Sequence, residues 1–151
     1  MIGDNKNHDA KLLEFINSTL GDPNSFREQT VHSLAKIFGY QRCGFWLVDQ
    51  KGYLCSPVTS YNYIDTKEYQ KGYYYYDALC PFNLGSKALK DEVLLLNQVI
   101  KKEDLEKSKY FCFMQKVDYS HEISMFLKKK DTIIGVISII RGQNEKDFEE
   151  G

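Results

Sequence analysis

Residues 120–142, SHEISMFLKKKDTIIGVISIIRG, decide the fold. The segment holds two apolar runs around the polar stretch KKKD at 128–131, which predicts a hairpin turn. The first run alternates in polarity, and its apolar face is predicted to carry His121, Ile123, Met125 and Leu127. The second run is apolar almost throughout, as expected of a central strand covered on both faces. We therefore predict an antiparallel hairpin near the centre of a sheet.

Upstream, residues 8–23 and 24–40 have the spacing of two amphipathic helices. The predicted apolar faces hold Leu12, Leu13, Ile16 and Leu20 in the first, and Val31, Leu34, Ala35 and Phe38 in the second. Gly21 and Pro23 would end the first helix, and Gly39 would cap the second.

A strand is predicted at 42–49, RCGFWLVD, followed by a turn at 49–52 and a second strand, YLCSPV. Pro57 has no N–H for a sheet ladder, so this second strand should lie at an edge or end there. We expect residues 42–49 to pair with the 120–140 hairpin. The predicted fold class is α+β, an antiparallel sheet with helices packed on one face.

The middle of the chain is less regular. A short helix is predicted at 65–72, with Asp65 as its cap, a buried strand and turn at 92–100, and a helix at 101–114. Between them lies KGYYYYDALCPFN, residues 71–83, with four consecutive tyrosines. If this run is extended, Tyr73 and Tyr75 point one way and Tyr74 and Tyr76 the other. The run predicts either a segment with one tyrosine pair in the core and the other in solvent, or the wall of a small-molecule pocket.

Composition excludes several classes of function for this chain. It has 151 residues, a formal net charge of −1 and 14% aromatic residues, so it lacks the basic stripe of a nucleic-acid-binding domain. No apolar run approaches the ~18 residues of a membrane span. The four cysteines are widely spaced and no export signal is present, which suits a reducing cytoplasm. One domain covering 1–151 is expected.

Four segments carry a resemblance to a known family: FGYQRCGFWLVD, YYYYDALCPF, EDLEKSKYFCFM and IIGVISIIRGQNEKDFEE. In their order and spacing they resemble the GAF-like sensory domain at the N-terminus of bacterial LuxR-type transcription regulators. The resemblance implies an antiparallel sheet of about six strands, a helical layer behind it and a roofed ligand cavity on the other face. It also implies a DNA-binding helix-turn-helix in the full-length protein, so that DNA would not be bound by this segment. The polar stretch from Gln143 to Gly151 is interpreted as the start of an exit helix.

The resemblance places the tyrosine run in the cavity roof. We predict that ligand-binding residues are Trp46, Tyr69, Tyr73, Tyr75, Asp77 and His121. Sensors of acyl-homoserine lactones carry a Trp, a Tyr and an Asp-Pro pair in this region, which Tyr69 and Asp77 match loosely. Ala78 follows the aspartate and Asp65 stands at the tryptophan position, which argues against such lactones.

The leading hypothesis is therefore a sensor of an unknown small molecule, as a homodimer, without catalytic residues, cofactor or metal. Two alternatives remain open. One is a GAF-shaped dimerisation module with a filled cavity, in which the terminal helices and Phe26 form the interface. The other is a cysteine-based reductase of free methionine sulfoxide using Cys80 and Cys112. The cysteine–histidine pair of bilin-binding GAF domains is missing, and His8, His32 and His121 are far apart in sequence.

Overall fold

The structure, a computed structural model, describes residues 2–19, 25–61 and 63–148. Its helices are α1 Ile2–Thr19, α2 Phe26–Phe38, α3 Tyr63–Gln70, α4 Pro81–Leu84, α5 Ser86–Lys90, α6 Leu96–Val99, α7 Lys102–Lys107 and α8 Lys109–Lys116. Its strands are β1 Cys43–Val48, β2 Leu54–Thr59, β3 Val93–Leu95, β4 His121–Lys129 and β5 Thr132–Arg141. The five strands form one antiparallel sheet in the order β2-β1-β5-β4-β3.

The predicted central hairpin is confirmed. β4 and β5 pair from His121 opposite Arg141 to Lys129 opposite Thr132, and β5 pairs on its other side with β1. β5 therefore lies inside the sheet, and apolar clusters on both faces of the sheet explain why its sequence is apolar almost throughout. β2 lies at the edge of the sheet, where the missing N–H of Pro57 is tolerated.

Two apolar layers cover the two faces of the sheet. Against α1 and α2 lies a compact cluster built from Val31, Leu34, Cys43, Phe45, Ile137 and Ile139. The opposite face packs under α3 to α8 in a larger, aromatic cluster that includes Trp46, Tyr69, Leu79, Tyr110, Phe113, Met114, Tyr119, Phe126 and Val136. The predicted α+β class is correct, with five strands where the resemblance implied about six.

The predicted helices differ in detail from the observed ones. Leu12, Leu13 and Ile16 are exposed, and α1 instead places Phe15 against Phe38 at a ring distance of 5.8 Å. The predicted Leu20, Gly21 and Pro23 lie outside the described residues. Gly39 caps α2 as predicted, with a left-handed φ of 74°.

The helix predicted at 101–114 is two helices, because the Ser108 hydroxyl accepts the Phe111 N–H and starts a new one. α3 begins at Tyr63, so Asp65 lies in its first turn and is not its cap. Residues 142–148 form turn and coil, and the rest of the predicted exit helix lies outside the described residues.

The tyrosine run is not extended, so the predicted alternation is wrong. Tyr73–Tyr76 form one turn of 3₁₀ helix, which we call the tyrosine turn, entered through Gly72 with a φ of 147°. Neighbouring rather than alternating side chains share an environment: Tyr73 and Tyr74 are half-buried, while Tyr75 and Tyr76 are exposed. The short pitch of the 3₁₀ helix replaces the two-residue period of a strand.

A candidate ligand cavity on the aromatic face of the sheet

A small, partly open space, which we call the central cavity, lies between the sheet and the layer formed by α3, α8 and the loop before α4. Its volume is about 30 Å³, enough for two or so water molecules. The lining residues are Arg42, Trp46, Leu54, Tyr61, Asp65, Thr66, Tyr69, Asp77, Tyr110, Phe113, Val117, Tyr119, Glu122, Ser138 and Ile140. Six of the fifteen lining residues are aromatic, and three carry carboxyl groups.

Asp77 is the first of two buried carboxyl groups in the central cavity, with 2% of its surface exposed. Its Oδ2 accepts a hydrogen bond of 2.8 Å from the Tyr69 hydroxyl, and its Oδ1 accepts the Leu79 N–H at 2.9 Å. Burial raises the pKa of Asp77 from its ordinary 3.8 to about 6, although both hydrogen bonds act in the opposite direction. The Asn83 side chain donates to the Asp77 carbonyl and holds this turn in place.

Glu122 on β4 is the second buried carboxyl group, 5% exposed. Its Oε1 accepts a hydrogen bond of 3.2 Å from the Ser124 hydroxyl, whereas its Oε2 has no partner among the described residues. The Tyr119 hydroxyl, also buried, is likewise unpartnered among them. Burial and the neighbouring Asp77 carboxylate raise the pKa of Glu122 well above its usual range. Buried polar atoms are nearly always paired in proteins, so these two atoms indicate a place where a ligand or water can bind.

Tyr69 is at the centre of the aromatic wall. Its ring centroid lies 5.0 Å from that of Trp46, 5.8 Å from that of Phe113 and 6.3 Å from that of Tyr110. The Trp46 indole hydrogen-bonds with the Tyr61 hydroxyl. Gly44 leaves room for this pair, because a Cβ at that position would lie 2.8 Å from Trp46 Nε1.

Three of the six predicted site residues, Trp46, Tyr69 and Asp77, line the central cavity together. Their role in binding stays a prediction. Glu122 is not among the predicted residues, because the alternation along β4 favours the strand face of His121 as the apolar face. Both faces of β4 are covered. The sequence feature that indicates a buried carboxyl group here is a glutamate within a strand predicted to be central.

The other three predicted residues lie away from the central cavity. Tyr73 stacks on Phe113 at 5.3 Å with its hydroxyl near Lys116. Tyr75 is 52% exposed and packs against Tyr53. His121 lies on the strand face opposite Glu122 because neighbouring residues alternate.

The His121 ring faces Asp147, with Nδ1 at 3.4 Å from the carboxylate. Both residues line a second concavity of about 670 Å³, which we call the lateral groove, beside α6, α7 and α8. Among the described residues, two buried polar atoms that border these spaces lack a partner. Glu122 Oε2 borders the central cavity alone, and Tyr119 lines both spaces. Chemically, the central cavity is therefore the stronger candidate.

No protein-family model matches the sequence, and no curated protein gives a significant match to it. Solved structures do match in fold. The ligand-binding domain of VqsR from Pseudomonas aeruginosa superposes with a TM-score of 0.61 at 13% identity, covering 91% of this chain and 80% of that one. SdiA from Escherichia coli, also a LuxR-type protein, superposes with a TM-score of 0.63 at 13% identity, covering 92% of this chain and 57% of that one. The domain GAF3 of Slr1393 from Synechocystis superposes with a TM-score of 0.58 at 8% identity, covering 83% of this chain and 80% of that one.

The chain has the fold of LuxR-type ligand-binding domains. The predicted GAF-like fold is thereby confirmed. The chain spans little more than half the length of SdiA, so that protein contains a substantial part with no counterpart here. Within the described residues, no helix combines the length and apolar character that crossing a bilayer requires.

Cys80, one of the two cysteines of the reductase hypothesis, is poorly placed to act as a nucleophile. Cys80 is fully buried, and burial together with Asp77 raises the pKa of its thiol to about 12. Because the thiolate is the reactive form, this raised pKa disfavours Cys80 as a nucleophile at neutral pH. Cys112 is exposed on α8, and both residues are free thiols. In the described part of the chain no three His, Cys, Asp or Glu side chains are grouped to hold a metal ion.

Proposed function

We propose that this chain is the small-molecule-sensing domain of a transcription regulator and that its ligand binds in the central cavity. The observation that carries the proposal is the pair of unpartnered polar atoms, Glu122 Oε2 and the Tyr119 hydroxyl, inside an aromatic cavity. Leaving such atoms without partners costs about 1–3 kcal/mol each. A fold that keeps them in its interior gains that free energy back when a ligand, or water, pairs with them.

The ligand would be held by aromatic area and anchored by polar groups. Trp46 and Tyr69 would supply the wall, Asp77 and Glu122 the anchors. The proposal does not use Tyr73, Tyr75 and His121, because their side chains point elsewhere.

The small volume of the central cavity bears on how a signal would be produced. A space of about 30 Å³ accommodates only the head of a ligand, so the layer of α3 and α8 must move outward to admit the rest. A ligand that binds the expanded form better than the compact form shifts the population toward it. We propose that this shift is the signal, passed in the full-length protein to a DNA-binding domain.

The remaining features of the proposal follow from that role. A transcription regulator works where the DNA is, so we place the protein in the cytoplasm. Regulators that read two-fold DNA sites are commonly dimers, and we expect a homodimer.

The proposal is tested by a small-molecule thermal-shift screen of the wild-type protein and two variants. Ile140→Phe enlarges a side chain that lines the central cavity. Ile134→Phe makes the same change on the same strand at a position 48% exposed. Compounds that stabilise the wild type should stabilise Ile134→Phe equally and should not stabilise Ile140→Phe. A cooperative unfolding transition of Ile140→Phe shows that this variant is still folded. Equal shifts in all three proteins would place binding elsewhere.

One observation favours a second function, a dimerisation module. Leu12, Leu13 and Ile16 are exposed on α1, and Phe26 at the start of α2 is exposed as well. A monomeric protein rarely leaves several large apolar side chains together in water. Sedimentation equilibrium of wild type and Leu13→Glu decides it: a dimer that Leu13→Glu dissociates, in a protein for which the screen finds no ligand, would favour this function.

A further inference from the structure

The two buried carboxyl groups of the central cavity, Asp77 and Glu122, have no cationic partner among the described residues. The described ion pairs are Lys71–Glu68, Lys116–Glu68 and His121–Asp147, and none includes Asp77 or Glu122. Arg42 lines the cavity, but its guanidinium donates to the carbonyl oxygens of Val117 and Asp118. Buried carboxylates in proteins are normally paired with a positive charge or are neutral. The pairing group is therefore either a proton or a cation supplied from outside.

The free acceptor among these groups is well defined. Ser124 occupies Glu122 Oε1, Tyr69 and the Leu79 N–H occupy the two oxygens of Asp77, and Glu122 Oε2 is left over. A donor placed at Glu122 Oε2 would also lie in the field of the Asp77 carboxyl, since the two groups interact electrostatically. The Tyr119 hydroxyl can rotate to accept from the same donor. The free positions thus favour a group with several N–H donors and a positive charge.

The wall around these acceptors suits the same group. Trp46, Tyr69, Tyr110 and Tyr119 all line the cavity, and successive ring centroids along this series are 5.0–6.3 Å apart. Aromatic rings attract cations through the negative charge on their faces, and the attraction is strongest where water is excluded. A volume of about 30 Å³ holds an ammonium-sized head and is too small for a ring with substituents.

We propose that the ligand of the central cavity is a small organic amine whose protonated ammonium head binds Glu122 Oε2 beside Asp77 within the aromatic wall. This inference rests on the proposed sensing function and names its ligand class. The tail of the amine would extend toward the partly exposed rim formed by Arg42, Asp65 and Val117. An acidic group would be repelled by the two carboxyls when they are ionised, and a neutral group would not supply the positive charge with which buried carboxylates are normally paired.

Trp46 provides the readout, because it is the single tryptophan of the chain and lines the cavity. The indole N–H resonance of Trp46 is followed by NMR at constant ionic strength during titration with n-butylammonium, butan-1-ol or butyrate. These three probes share a four-carbon tail and differ in the charge of the head. The proteins are the wild type, Glu122→Gln, which keeps the shape of the side chain, and Glu103→Gln, which removes an exposed carboxylate on α7.

The proposal predicts that n-butylammonium moves the Trp46 resonance in a saturable way and binds more tightly than the other two probes. Glu122→Gln should weaken its affinity by about tenfold or more, as for loss of a charged hydrogen bond. Glu103→Gln should leave it unchanged. If butan-1-ol or butyrate binds as tightly, or if Glu122→Gln has no effect, the amine assignment is wrong while the sensing function survives. If n-butylammonium does not move the resonance, the amine assignment is also wrong. The sensing function fails only if the Ile140→Phe screen finds no ligand either.

Discussion

Tyr69 on α3 donates its hydroxyl proton to Oδ2 of Asp77 at 2.8 Å, with both side chains buried against the sheet. This hydrogen bond joins the helix above the central cavity to the loop that follows the tyrosine turn. Ring contacts to Trp46 and Phe113 fix the Tyr69 side chain, so the position of the Asp77 carboxyl depends on the aromatic wall.

Tyr69→Phe should lower the free energy of unfolding by about 1–3 kcal/mol, since it leaves a buried carboxyl oxygen without its donor. Urea denaturation at pH 7 measures the effect. Tyr76→Phe is the matched control, because Tyr76 is exposed, and its stability should lie within about 0.5 kcal/mol of the wild type. Equal effects of the two substitutions would show that the Tyr69–Asp77 bond does not stabilise the fold.

Asp77 should make the protein less stable as pH rises from 4 to 6. Its pKa is about 6 in the folded protein against an ordinary 3.8, so the folded state binds more protons in this window. Stability from this group is thus fully present below pH 3.8 and is lost as pH rises through 6, at a cost of at most about 3 kcal/mol. Asp77→Asn, whose amide can still accept from Leu79 and donate to Tyr69, should be the more stable protein at pH 7.

The measurement is the free energy of unfolding of wild type and Asp77→Asn across pH 4–8. Other groups titrate in the same range, so the difference between the two proteins is the informative quantity. That difference should grow in favour of Asp77→Asn up to about pH 6 and level off above it. A difference that is constant with pH would contradict the raised pKa.

Gly44→Ala should displace the indole of Trp46, because the added methyl group would lie 2.8 Å from Nε1 and 3.1 Å from the Tyr61 hydroxyl. Overpacking of this kind costs about 1–3 kcal/mol, and the intrinsic fluorescence of the single tryptophan should change. A double-mutant cycle with Trp46→Phe checks the cause: part of the cost of Gly44→Ala should vanish when Nε1 is absent. Strict additivity would mean that the clash with Trp46 is not the reason.

The central hairpin could be predicted from sequence because β4 alternates, β5 is apolar almost throughout, and one polar turn separates them. That Glu122 faces the central cavity could not be predicted. Both faces of β4 are covered, so alternation alone does not tell which face borders the cavity. The 3₁₀ conformation of the tyrosine turn could not be predicted either. Four identical residues have no periodicity, and Gly72 and the bonds that Asn83 donates to the carbonyl oxygens of Tyr75 and Asp77 set the local geometry.

The cysteines offer a test of the alternative redox function. At pH 8 a thiol with a pKa of about 12 is ionised in about 1 molecule in 10,000. Iodoacetamide should therefore label exposed Cys112 long before Cys80 in the native protein and label both in urea, as followed by peptide mass spectrometry. Rapid native labelling of Cys80, with reduction of free methionine sulfoxide that Cys80→Ser abolishes, would revive the reductase hypothesis.

The most direct measurement of the central claim is a crystal structure of the protein with the best stabilising compound from the screen. The account predicts ligand density in an enlarged central cavity, in contact with Trp46 and Glu122, with α3 and α8 moved away from the sheet. Density confined to the lateral groove beside His121 and Asp147, with the central cavity still about 30 Å³ in volume, would contradict it.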